Sequence, residues 1–239
     1  MPDTATPHPR FTHLISDCDG VLIDSEAVAL QALLALLAPR LPNLPEGKTL
    51  QGLIEPRLGL RLTPLMHDIY SELGLPQLPD DEVQSIGHAV DVACDAQLRA
   101  VPGVAQALAA IPLPKAVASN SVSERVLSAL ERTGMAPLFD QRVFTPDLVG
   151  HAKPHPGLYL AAAAAFGVPP AQCLVLEDSV TGVTAAAAAG MTVLGFIGGG
   201  HIAPGQEARL KAAGAFAVFN DMDKLPALVA ALLEESATV

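Results

Sequence analysis

The sequence predicts an α/β fold, a doubly wound parallel sheet with a smaller helical domain inserted after the first strand. Three observations carry that reading. From about Ala100 onward, short apolar runs alternate with helical patterns at short intervals, the rhythm of a parallel sheet covered on both faces. Between about Asp24 and Asp95 that rhythm stops, and helical patterns appear with no convincing strand among them. Half of the 239 residues are apolar and only 16% are charged, ample for a packed core and unlike a disordered chain.

The elements follow in chain order. Thr12–Ser16 is an apolar run that ends in two aspartates, and it forms the first strand. Ser25 is placed to cap a helix running to Ala38, where Pro39 stops it. EVQSIGHAVDVACDAQLRA is a second helix, and a Pro- and Leu-rich stretch connects the two. The expected domains are therefore residues 1–23 with 97–239, carrying the sheet, and residues 24–96, carrying the helices. Beyond them, GVAQALAAI is helical, KAVAS a strand, and VSERVLSALERTG a helix stopped by Gly134. RVF is a short strand, PGLYLAAAAAFG a helix with proline at its start and glycine at its end, and CLVLE a buried strand. VTGVTAAAAAG, TVLGFI, QEARLKAAG, AFAVFN and LPALVAALLEE continue the alternation. Alanine is the best helix former and lets helices approach a sheet closely, so its runs are structural.

Composition excludes several classes. A net charge of −11 disfavours nucleic acid, whose phosphates would be repelled. It also means that an anionic substrate needs a local cation against the global field. The uncharged stretches Leu158–Leu176 and Ser179–Gln206 are broken by Gly and Pro, which fits soluble core elements better than membrane spans. Cys18, Cys94 and Cys173 are widely spaced and odd in number, so neither a disulfide framework nor a zinc site is expected. The stretch MPDTATPHPR has no basic segment followed by an apolar one, and the expectation is a cytoplasmic monomer with inert thiols.

Polar residues collect at one predicted edge. In FTHLISDCDGVLIDSE, Asp17 and Asp19 follow the first strand, with Gly20 free to turn behind them. Alone, this stretch is equally well a solvated turn. Ser119, Asn120 and Ser121 follow KAVA, however, and Glu177 and Asp178 follow CLVL. Lys153, in HAKPHPG, lies between the last two. Ligands of open α/β sheets bind outside the carboxyl ends of the strands, and three such endings with a lysine are hard to assign to chance. His151 and His155, flanking Lys153, fit surface or capping roles, and the GGGH run at 198–201 fits a flexible turn.

These residues carry a resemblance. DCDGVLIDS, SNS, KP and EDS resemble the four ordered motifs of the haloacid dehalogenase superfamily, in its phosphatase branch. The helical insertion is similar to the C1 cap of subfamily I, the group that includes β-phosphoglucomutase and phosphoglycolate phosphatase. The resemblance covers nearly the whole chain. It implies Mg²⁺ held by the Asp17 carboxylate, the Asp19 backbone carbonyl and Asp178, with Glu177 nearby or ligating. It further implies that Asp17 attacks phosphorus to form an aspartyl-phosphate, and that Asp19 is the general acid and base. Ser119 and Asn120 would bind the phosphoryl group, and Lys153 would offset negative charge on it and on Asp17.

The expected substrate is a small phosphorylated metabolite such as a sugar phosphate, with Arg57 or Arg61 of the cap, near Gly52, able to reach it. The rival readings are a phosphoglucomutase-type phosphotransferase and a catalytically silent binding module, which the full set of chemical residues argues against. Three departures disfavour the mutase. Ala29 stands where that enzyme has histidine, Gln51 where it has lysine, and Glu55 where it has arginine.

Overall fold

Among the described residues, six parallel strands form one sheet in the order β3-β2-β1-β4-β5-β6. They are β1 (His13–Ser16), β2 (Lys115–Ala118), β3 (Val143–Phe144), β4 (Cys173–Glu177), β5 (Thr192–Phe196) and β6 (Ala217–Phe219). The structure, a computed structural model, describes residues 11–57, 62–199 and 205–235. Each strand read from the sequence is present, and the α/β doubly wound parallel sheet stands as expected.

The described residues divide into two compact units, one of 11–23, 100–198 and 205–235, the other of 24–57, 62–99 and 199. In the helical unit lie α1 (Glu26–Leu37), α2 (Leu50–Ile54), α3 (Leu62–Glu72) and α4 (Asp80–Ala96). The sheet unit adds α5 (Val104–Ala110), α6 (Ser123–Arg132), α7 (Ala136–Phe139), α8 (Pro146–Val149), α9 (Gly157–Phe166), α10 (Val180–Ala188), α11 (Gln206–Ala213) and α12 (Leu225–Glu235).

In the sheet unit, β1 is central, paired with β2 at Ile15–Ala116 and with β4 at Ile15–Val175. Every residue of β4 is buried, which is why CLVLE reads as a continuous apolar run rather than an alternating one. On one face, Ile15, Ala116, Val175 and Val193 pack against Leu158, Tyr159, Ala162 and Ala163 of α9 and Val183 and Ala186 of α10. Small alanines on both helices permit this close approach. The chain changes direction of winding at β1, so the crevice beyond the carboxyl ends of β1 and β4 is the topological switch point.

The helical unit has a separate core in which Leu30, Leu33 and Leu37 of α1 meet Leu53, Ile54, Leu65, Ile69, Val83 and Ile86. Asp80, Asp81 and Glu82 open α4, where carboxylates complement the positive end of the helix. Two details depart from the sequence reading. Ser25 precedes α1 but makes no side-chain cap, because its backbone is already helical at φ −84°, ψ −27°. The Pro- and Leu-rich connection also contains α2 and α3. Pro64 sits in the first turn of α3, where its missing N–H costs no hydrogen bond. The unit runs to Arg99, whose carbonyl accepts from Asp24 N–H (3.0 Å) and whose guanidinium pairs with the Asp24 carboxylate (2.8 Å). No described helix is long and apolar enough to cross a membrane.

Candidate active site

The edge residues converge. Asp17 N–H donates to Leu176 O (2.9 Å), extending the β1–β4 ladder by one step and setting the Asp17 carboxylate at the carboxyl end of β4. Gly20 takes φ 83°, and Gly20 N–H donates to Ile23 O (2.7 Å), closing the turn that holds Asp19 behind Asp17. Asp19 Oδ2 accepts from Ser121 Oγ (2.7 Å), and its Oδ1 lies 3.3 Å from Arg125 Nη2 on α6. Thus β1, β2 and the start of α6 each contribute to the setting of Asp19.

Lys153 is the centre of the arrangement. Its Nζ donates to Asp17 Oδ1 (2.6 Å) and to Glu177 Oε1, with the lysine side chain only 3% exposed. The backbone carrying it is held by Asn120, whose Oδ1 accepts from Lys153 N–H (2.7 Å) and whose Nδ2 donates to Lys153 O (3.3 Å). Ser119, buried at the end of β2, accepts from Ser121 N–H at its Oγ (3.0 Å).

Glu177 is wholly buried and saturated. Its Oε1 accepts from Lys153 and from Tyr159 OH (2.7 Å), and its Oε2 from Asp178 N–H (3.1 Å), Ser179 N–H (3.1 Å) and Ser179 Oγ (3.0 Å). Ser179 in turn caps α10, its Oγ accepting from Gly182 N–H (3.0 Å). Asp17, Glu177 and Asp178, all buried, each offer an oxygen within 4.8 Å of the others.

Burial dominates the electrostatics. It drives the Asp17 carboxyl well above the ordinary range; Lys153 opposes this, and Glu177 and Asp178 reinforce it. Burial also pulls at the Lys153 ammonium, but the carboxylates of Asp17 and Glu177 outweigh it, so the lysine is held charged, well above its usual value. Burial, helped by Asp19 and Asp17, pushes the Cys18 thiol far up, and burial alone takes Cys173 to about 11. These are inert thiols rather than nucleophiles.

Residues 11–190 match the model of a family described as haloacid dehalogenase-like hydrolase. The chain belongs to the haloacid dehalogenase-like hydrolases. It is 32% identical over 77% of its length to "Probable pseudouridine-5'-phosphatase" of Drosophila melanogaster, covering 81% of that protein. It is 28% identical over 82% of its length to "6-phosphogluconate phosphatase" of Escherichia coli, covering 86%. A haloacid dehalogenase-like protein of unknown function from Agrobacterium tumefaciens superposes with a TM-score of 0.83 at 34% identity, covering 93% of this chain and 99% of that one. A family hydrolase from Deinococcus radiodurans, solved with bound phosphate and sodium, gives 0.74 at 29% identity, covering 94% and 97%.

In this haloacid dehalogenase-like hydrolase, Asp17, Asp19, Ser119, Asn120, Lys153, Glu177 and Asp178 all lie at the sheet edge. The Asn120 side chain is engaged with the backbone of Lys153, so it braces that lysine. Arg57 lies in the helical unit, where it donates to Leu53 O (2.7 Å) and pairs with Glu72. Arg61 and His201 fall outside the described residues. His151 and His155 stack with ring centroids 4.1 Å apart, and His155 Nδ1 accepts from Gly157 N–H (3.0 Å) at the start of α9. This contact belongs to the surface or capping roles read for the pair.

Sequence reasoning passed over Tyr159 and Arg125. Tyr159 is the polar residue in an otherwise apolar helix, six positions after Lys153, and that isolated hydroxyl was the available signal. Arg125 lies one helical turn beyond Ser121, the only hint that it shares a face with the site.

Proposed function

We propose that the protein is a Mg²⁺-dependent phosphohydrolase of a small phosphorylated metabolite, acting through an aspartyl-phosphate on Asp17. The observation that supports this most is the buried bridge from Lys153 to both Asp17 and Glu177 at the switch point. It orients the Asp17 carboxylate, and a fold does not need such a buried pair for its stability.

The donor set fits a divalent cation. Asp17, Glu177 and Asp178 against Lys153 sum to −3 + 1 = −2 in formal charge among buried side chains, and Mg²⁺ prefers such oxygen ligands. The ligands would be the Asp17 carboxylate, the Asp19 carbonyl and Asp178, with Glu177 beside them. When bound, the ion would neutralise charge on the phosphoryl oxygens and reduce their repulsion with Asp17.

The chain's own residues would do the rest. Lys153 holds Asp17 Oδ1, which would help orient the attacking carboxylate. A carboxylate oxygen of Asp17 would form the new bond to phosphorus as the ester oxygen leaves with the proton of Asp19. Asp19 would then take a proton from water as that water attacks phosphorus and releases Asp17. Ser119 and the Asn120 backbone N–H would hold the phosphoryl oxygens. Residues 24–96 would serve as the cap that selects the substrate, with Arg57 among its contacts.

A sugar-type phosphate suits the names of the relatives, and phosphate was found bound to the Deinococcus protein. Ala29, Gln51 and Glu55 favour water over a sugar as acceptor, and Gln51 Nε2 donates to Glu55 Oε1 (2.6 Å), so these two are paired with each other. The test is phosphate release with Mg²⁺ from p-nitrophenyl phosphate and a panel of about a hundred phosphorylated metabolites. No release from any of them would end this reading. Rapid conversion of β-glucose 1-phosphate to glucose 6-phosphate, primed by a trace of glucose 1,6-bisphosphate, would replace it with the mutase.

A further inference from the structure

The Glu177 carboxylate is folded back onto the first turn of α10, where its Oε2 accepts from Asp178 N–H, Ser179 N–H and Ser179 Oγ. It fits there only because residue 182 has no side chain. A Cβ at Gly182 would lie 1.7 Å from Glu177 Oε1, 2.0 Å from its carboxyl carbon and 2.3 Å from Oε2. Glycine inside a helix is unfavourable relative to alanine, and α10 is otherwise rich in alanine, so this glycine has a specific reason. Tyr159 also contacts this carboxylate. Its hydroxyl reaches Glu177 Oε1 (2.7 Å), and its ring centroid lies 5.1 Å from Lys153 Nζ, within cation–π range. Tyr159 thus touches both partners of the buried ion pair and is itself fully buried.

We infer that Tyr159 and Gly182 are positioning residues, which together fix the direction Glu177 faces and, through it, seat Lys153 against Asp17. Gly182 provides the seat, and Tyr159 takes the acceptor site of Oε1 that Lys153 does not use. A buried network of this kind orients its members only when every acceptor is filled. With the hydroxyl gone, Oε1 keeps Lys153 alone, and the ammonium is free to follow Glu177 away from Asp17. With a methyl at position 182, the carboxylate must leave its seat. Both changes act through one side chain, so their effects should not multiply.

The kinetic readout rests on the hydrolase reading, whereas a second readout does not. Tyr159→Phe should lower kcat for p-nitrophenyl phosphate about tenfold, the scale of one hydrogen bond to a charged group, with KM within about twofold. It should also shift or broaden the Lys153 ammonium signal in ¹H–¹⁵N NMR of the metal-free protein. Gly182→Ala should lower kcat by about 10²-fold, the scale of losing a preorganised charge, and adding Tyr159→Phe to it should cost less than a further twofold. If Gly182→Ala does not fold, Glu177→Ala takes its place in the cycle, with the same expectation.

Multiplicative losses would overturn the proposal. So would a Tyr159→Phe protein with a lowered Tm but unchanged kcat and ammonium signal, for then Tyr159 only fills space. If the wild type releases no phosphate, the hydrolase reading fails separately, and the ammonium signal decides alone. An unchanged signal in Tyr159→Phe overturns the inference, and a shifted one sustains it.

Discussion

Lys153 and Asp17, in the sheet unit, form an ion pair whose side chains are 3% and 10% exposed, whereas Arg40 and Glu82, in the helical unit, form one at 34% and 36%. The same chemistry has different consequences in the two places. The exposed pair is screened by water and contributes typically under about 1 kcal/mol. Breaking the buried one strands a charge, at about 3–5 kcal/mol. A fold does not need such a pair to be stable, since an apolar pair of equal volume would serve as well. Where it is present and braced by Asn120, Tyr159 and Ser179, the sheet unit holds buried charge in a fixed arrangement, as the proposed phosphoryl transfer would require. The helical unit uses charge mainly as a solvated surface.

The contrast can be tested from its strongest consequence downward. Asp17→Asn, or chelation of the wild type with EDTA, should reduce phosphate release to background while circular dichroism stays native. Undiminished turnover in either case would mean that the buried cluster is only structural. Lys153→Ala should lower kcat by at least about 10²-fold at saturating substrate, the scale of losing a preorganised charged donor. The same variant should unfold at lower urea, by about 3–5 kcal/mol. A loss of turnover under threefold would reduce this lysine to the rank of the exposed ones.

Ser121→Ala removes the 2.7 Å donor to Asp19 and should lower kcat about tenfold, the scale of a hydrogen bond to a carboxylate. Arg125→Gln should cost less, because its contact is longer, at 3.3 Å, and open to water. The reverse order would put the guanidinium in charge of Asp19. In the helical unit, Arg40→Ala should change the urea midpoint by no more than about 1 kcal/mol equivalent and leave turnover alone. A larger shift would show that the surface of that unit carries more than solvation. The smallest effect expected is on the thiols. Cys18, Cys94 and Cys173 are all buried and should stay silent toward a thiol reagent until the protein is unfolded.

Much of the site is legible in the sequence because the sheet itself does the assembling. Once Ile15 pairs with Val175 and Ala116, the residues that follow each strand must share one edge, so Asp17, Ser119, Glu177 and Asp178 converge without further information. Lys153 was readable only through its place among these motifs. What binds Lys153 in position was not. Asn120 reaches its backbone across 33 residues, and Tyr159 reaches Glu177 from inside an alanine helix whose pattern signals packing alone. Such contacts depend on how helix and strand pack, which periodicity does not encode. The helical unit was less legible still. The Pro- and Leu-rich stretch reads as a connection, although Pro64 is tolerated in the first turn of α3. Arg57 reads as a candidate ligand, and its pairing with Glu72, fifteen residues on, is a contact that the local pattern does not encode.

Where the chain leaves the sheet unit and where it comes back are neighbours. Ile23 and Ala100 face each other in an antiparallel bridge, and Val101 N–H donates to Leu22 O (2.9 Å). Seen as a problem in descent and engineering, this is a socket. A segment of any length can be spliced between two adjacent positions without stretching either end, since the backbone on both sides is already paired. Exchange of residues 24–99 for an unrelated segment, or for a two-residue turn, should therefore leave the strand register undisturbed. If this segment selects the substrate as proposed, a lineage could try new substrates by replacing it while inheriting the sheet edge unchanged.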